Sequence, residues 1–194
     1  MGRTGHNPGP RNGLGRSACQ NFRSVRGTLS DMRTLLRAIV WLALIVWLGG
    51  LFFFPITAWA AFSTIPDTHA AGTIVAKCLR ILHGEGFFCG CLIILVLAIG
   101  IGARIFRRGA LVAVLATLLM LGLTAYSQFA IIPRMESYRI AAGGAIDNVP
   151  KTDPRHVAFD RLHNTSETVA EAVMIAGIVL VVLLARSTSE PVMR

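Results

Sequence analysis

The chain has 194 residues, a net charge of +9, 54% hydrophobic residues and only 15% charged ones. Soluble domains carry roughly 25% charged residues, so this composition excludes an ordinary soluble enzyme and fits one small membrane bundle with no second soluble domain. The positive charge does not make a nucleic-acid binder, because the basic residues that gather before the first apolar run have a single aromatic, Phe22, among them and so no interleaved series of rings to stack bases.

Residues 1–34 are rich in Gly, Pro, Asn, Ser and Arg and show no apolar period. Such a segment buries too little surface to fold, so it reads as a basic, disordered tail that can touch anionic lipid. Met32 opens a second plausible start, and both starts stay open. From Met32 the chain also has the outline of a secretory signal, with Ala58-Trp59-Ala60 as a cleavage site. The apolar run is much longer than the usual 7–15 residues of a signal core, so a retained span is expected.

That run, 38–62, has no charge and is long enough to cross a core of roughly 30 Å. Trp41 and Trp59 stand where interfacial anchors would. Gly49-Gly50 permits close helix contact, and Pro55 removes a helical hydrogen bond near Leu51. After a polar break, Ile74, Val75, Cys78, Leu79 and Leu82 follow helical spacing. This segment leads into the second span, 84–104, and reads as one continuous helix with it.

Arg104, Arg107 and Arg108 crowd the turn before the third span, 109–133. Positive turns stay inside, which predicts a cell-membrane protein with both termini cytoplasmic. Residues 141–155 are rich in turn formers and read as an external loop. The fourth apolar run, 172–185, has about 14 residues where roughly 20 are needed. The span must therefore extend back to about 165 and end at 186, with 187–194 as a short tail. The fold class is thus all-α, an integral membrane antiparallel four-helix bundle over 35–186.

The short fourth run draws Glu171 into the membrane and Glu167 to its surface, with His163 just above. The three are spaced i, i+4, i+8 and share one helical face. A charge at such depth costs at least about 2.5 kcal/mol, so Glu171 is expected to face the bundle. His83 and Glu85 lie at the same level on the second helix, and Tyr126 and Gln128 on the third. The seven residues form a candidate polar cluster at the outer mouth, suited to a proton, a cation or a small polar solute. Each also has a plainer reading as an interhelical hydrogen bond or a helix-start carboxylate.

No catalytic pair, cofactor-binding residue or metal ligand is assigned. His83 and His163 keep a haem or copper protein open as the alternative, although no H-x-x-x-H or C-x-x-C-H pattern occurs. Cys89 and Cys91 point about 200° apart on a helix and read as packing residues. Asn164-Thr165-Ser166 fits the glycosylation pattern but abuts the membrane on a helix.

Trp47-Leu-Gly-Gly-Leu-Phe-Phe-Phe-Pro55, Ala71-Gly72, Phe129-Ala-Ile-Ile-Pro-Arg-Met135 and Phe159-Asp-Arg-Leu-His163 together resemble the transmembrane protein 205-like family. The resemblance covers about residues 35–186. It implies four membrane helices, a domain of unknown function and no established enzymatic activity. More distantly the chain is similar to copper-resistance and haem-associated four-span proteins. The acidic last helix and the long basic tail depart from the family pattern. The expected function is non-enzymatic: transport or sensing of a small polar solute or ion. The lipid bilayer is the expected partner, a homo-oligomer is compatible with the chain, and nucleic acid is not expected.

Overall fold

A computed structural model describes the backbone of residues 13–103 and 109–189, and side chains over 31–103 and 109–186. Arg104, Arg107 and Arg108, which carry the orientation argument, and the first part of the tail lie outside these described residues. Among the described residues five α-helices form: α1 Gly13–Thr64, α2 Thr68–Gly102, α3 Ala110–Tyr126, α4 Ile132–Ala141 and α5 Pro154–Ser189. Four described stretches are long and apolar enough to cross a membrane. They pack as an antiparallel bundle in which α1 lies on α2, α2 on α3, and α3 with α4 on α5.

The helices outrun the expected spans. Residues 13–34, read from sequence as part of a disordered tail, are helical from Gly13 onward. Extending an existing helix costs far less than nucleating one, so the first span can propagate backwards into polar sequence. α1 also continues through Pro55. The segment 68–83 is continuous with the second span, as expected, and starts on a cap in which the Asp67 side chain accepts from the His69 amide at 2.9 Å.

The third span is where the helix departs from regularity. A π-helical turn, Ser127–Ile131, separates α3 from α4. The Ile132 amide bonds back to the Ser127 carbonyl, one residue further than in an α-helix. Pro133 explains the turn. It has no amide hydrogen for the Phe129 carbonyl, and its ring would press on that carbonyl in a regular helix; a wider turn relieves both.

The packed core occupies the half of the bundle nearer Arg37 and Arg186. Trp47, Leu44, Ile93, Leu97, Met120 and Leu180 are among its largest fully buried side chains. Missing side chains let the helices approach. A Cβ added at Gly86 would lie 2.6 Å from the Trp47 indole nitrogen, one at Gly90 2.6 Å from Leu121, and one at Gly177 2.3 Å from Leu48. In lipid, where hydrophobic burial does not drive helix association, such close packing supplies the cohesion. Beyond this core, at what we term the distal end, α1 exposes Phe52, Phe53, Ile56, Trp59 and Phe62.

The distal end is capped by polar contacts. Arg139 of α4 pairs with Glu136 at 2.7 Å and donates to the Thr73 hydroxyl of α2 at 3.4 Å. Thr68 donates to Asp147 at 2.9 Å, and Arg155 donates to the Ala141 carbonyl at 2.7 Å. Residues 142–153 form the expected turn-rich connection, with Gly143 and Gly144 at φ +85° and +102°. These are left-handed conformations that favour glycine.

Candidate functional site

His83 is buried, with 7% of its surface exposed, on the side of α2 that faces α3. Its Nδ1 lies 2.8 Å from the amide oxygen of Gln128. With the amide so oriented, Nδ1–H donates and Nε2 is left as an acceptor. Gln128 belongs to the π turn, so the irregularity that Pro133 imposes falls on the residue that meets His83. Phe87 and Phe129, one helical turn after His83 and next to Gln128 in the chain, also meet across the two helices, with ring centroids 5.9 Å apart. The pair is thus an interhelical polar contact at the distal end of the α2–α3 seam.

Further along the seam, Thr117 and Thr124 are buried and donate to the carbonyls of Ala113 and Met120 at 2.8 and 2.9 Å. Among the described residues, no fully buried side-chain polar atom lacks a partner. These hydroxyls therefore complete the helix rather than offer vacant bonding capacity. The histidine–glutamine pair differs because it joins two helices and keeps a ring nitrogen in reserve.

The expected cluster of seven residues does not assemble as one. Glu85 lies on the other side of α2, against α1: a Cβ added at Gly50 would be 3.1 Å from its carboxylate oxygen. It is half-buried there. Tyr126 is 48% exposed, away from the histidine–glutamine contact. His163 and Glu167 do pair, at 3.2 Å, but both are largely exposed on α5. Phe159 stacks on the His163 ring with centroids 6.4 Å apart.

Glu171 requires a correction. Its depth in the membrane predicts a side chain facing the bundle, yet it is exposed on the outward side of α5. The reason is the inward stripe of that helix. Ser166, Val173 and Leu180 are buried, and Gly177 packs against Leu48 and Met120. Glu171 stands two positions from Val173, which at 100° per residue turns it to about 160° from the core. The i, i+4, i+8 face holds together, but it looks outward.

Two features escape the sequence reading. Trp47 is the largest fully buried side chain, whereas the anchor positions fall on Trp41 and Trp59; Trp59 is 71% exposed. The signal for Trp47 is Gly86, a gap on the facing helix. The second feature is the start of α5. Asp153 accepts from the Arg155 amide at 2.8 Å and pairs with its guanidinium at 2.7 Å, while the Val157 amide bonds to the Asp153 carbonyl at 3.0 Å. The Arg155 side-chain and backbone bonds hold the Asp153 carboxyl down at about 2. His156 is buried nearby, its Nδ1 3.2 Å from the Val149 carbonyl.

Among the described residues, no three His, Cys, Asp or Glu side chains converge on a point where a metal ion could bind. What the site can do is recognise a small polar group through a histidine ring nitrogen and a carboxamide, at the edge of an apolar bundle.

No curated protein and no solved structure matches the chain at a meaningful level. A family described as a domain of unknown function (DUF4149) matches residues 42–143. The match takes in His83, Glu85, Tyr126 and Gln128 with the π turn, and it ends before His163, Glu167 and Glu171. It covers more than half of the chain, whose own four long apolar helices fit a multi-pass membrane protein, and the chain therefore belongs to the DUF4149 family.

Proposed function

We propose that this protein is a non-enzymatic membrane protein that binds a small polar solute or ion at its distal mouth, with His83 and Gln128 as the recognising pair, to transport or sense it. The observation that carries the reading is the buried His83 ring held by Gln128 across the α2–α3 seam. Polar residues within membrane bundles are costly and concentrate where a ligand or a proton passes. π turns, too, recur at functional sites, and here one presents Gln128. Both residues lie within the family match, whereas the acidic face of α5 lies outside it.

The transmembrane protein 205-like resemblance is a finer assignment, which the four apolar helices support. The arginines at 33, 37, 104, 107, 108 and 186 support a cell-membrane protein with both termini cytoplasmic and the His83 mouth outside. Native mass spectrometry of the detergent-purified protein tests ligand binding. The expected spectrum shows the intact chain with a small bound species that His83→Phe loses while the protein remains folded. A wild-type spectrum free of bound species, or one that His83→Phe leaves unchanged, contradicts the reading.

A further inference from the structure

We propose that Glu85 is a proton-binding carboxyl inside the membrane, reached from the lipid side of the α1–α2 seam, where a hydrophobic carbodiimide modifies this chain. The facing helix makes room for it. A Cβ added at Gly50 of α1 would lie 3.1 Å from the Glu85 Oε1 and 2.7 Å from the Leu82 side chain. Only a glycine at position 50 leaves the space that the carboxyl occupies. This contact also fixes the depth. Gly50 is the middle residue of the uncharged run 38–62. Counted from Arg37 at about 1.5 Å per residue, it stands about 20 Å along α1, roughly 10 Å inside the far surface of a core of roughly 30 Å.

Rotation places the carboxyl at the edge of the seam. At 100° per residue Glu85 lies between two pairs of α2 residues, about 40–60° from each. Leu82 and Cys89 on one side are buried, whereas Ile81 and Phe88 on the other are 70% and 72% exposed. On α1, Val46 and Phe53 flank Gly50 and are exposed as well. Both helices thus turn apolar side chains outward along this edge, which is the surface that lipid covers. The half-buried carboxyl stands between them.

The chain supplies no counter-charge there. Among the described residues no hydrogen bond or ion pair reaches Glu85. The titratable group that faces it is Cys89, one turn along α2. On α1 the residues that meet this stretch are Trp47 and Gly50, and neither titrates. Arg80, the nearest cation on α2, stands about 7.5 Å closer to the distal end and about 140° round the helix, where its charge acts on Glu136 of α4. His83 lies about 160° round and is engaged with Gln128. A metal cation needs several oxygen ligands, and one carboxylate does not make such a set. A proton needs a single carboxylate, and binding it removes a charge that hydrocarbon penalises.

The proposal is independent of the ligand reading at His83, and the wild-type protein carries its test. Dicyclohexylcarbodiimide partitions into lipid and reacts with the acid form of a carboxyl. The carboxyl proton passes to one reagent nitrogen, the carboxyl oxygen bonds to the central carbon, and the O-acylisourea rearranges to a stable N-acylurea. The peptide therefore gains the whole mass of the reagent. A carboxyl in water is almost wholly ionised at pH 7, so at that pH Glu85 in lipid vesicles is expected to label at least roughly tenfold faster than Glu167, which is largely exposed on α5. Coupling of taurine by a water-soluble carbodiimide is expected to reverse the order, with Glu167 modified and Glu85 spared. Fragmentation of the labelled peptide locates the adduct, and Glu85→Gln is expected to lose it. Failure of Glu85 to label with the hydrophobic reagent, or taurine coupling at Glu85 as fast as at Glu167, overturns the proposal.

Discussion

At the residue scale, the bundle depends on what is missing as much as on what is present. Gly86 faces the Trp47 indole so closely that a Cβ would lie 2.6 Å from its nitrogen, and Trp47 is only 1% exposed. Gly49 offers the contrast. It is exposed on the open side of α1, where an added Cβ would meet nothing within 4 Å. Gly86→Ala is therefore expected to destabilise the protein by about 1–3 kcal/mol through overpacking. Gly49→Ala is expected to be neutral or to stabilise by up to about 1 kcal/mol through helix propensity. Thermal unfolding of the two variants in the same detergent checks the contrast. The same scale shows what could be read from sequence. The shared face of His163, Glu167 and Glu171 was legible from spacing alone. Its direction was not, because the small and apolar stripe through Val173, Gly177 and Leu180 competes for the core and wins.

At the scale of elements, two irregular points carry the chemistry. Pro133 widens the helix at Ser127–Ile131 and thereby sets where Gln128 points. Pro133→Ala is expected to let the α-helix run on and turn Gln128 away from His83. Paired cysteines at His83 and Gln128 should then cross-link less readily than with Pro133 present; equal yields would separate the proline from the site. The proline was visible in the sequence, but its effect on the preceding turn depends on which carbonyl it leaves unbonded. The other point is the start of α5, where Arg155 holds the Asp153 carboxyl at about 2. This value is below the ordinary one of about 3.9, so the contribution of Asp153 is fully present above about pH 4 and is lost as pH falls through 2. Proteolysis of the 142–153 connection is expected to rise over that interval, and Asp153→Asn is expected to remove the pH dependence.

At the scale of the whole molecule, the four apolar runs made the bundle legible, because each is long enough, or can be extended far enough, to cross a bilayer. Helix lengths were less legible, since polar sequence such as 13–34 and 154–165 becomes helical once a span beside it has nucleated. The polar cluster was legible as a set of residues at one level but not as a set of contacts, because level follows from counting along each helix whereas contact depends on rotation about it. Orientation has its own test. A cysteine at Gly109 is expected to label only from the cytoplasmic side and one at Asn148 only from outside, and the reverse pattern would invert the topology.

Whether His83 and Gln128, rather than the carboxylates of α5, form the functional site is tested most directly by proton and small-cation flux into vesicles containing the purified protein. Flux above that of empty vesicles is expected, with its loss in His83→Phe and its retention in Glu171→Gln. Flux that survives His83→Phe, or that Glu171→Gln abolishes, would contradict the assignment.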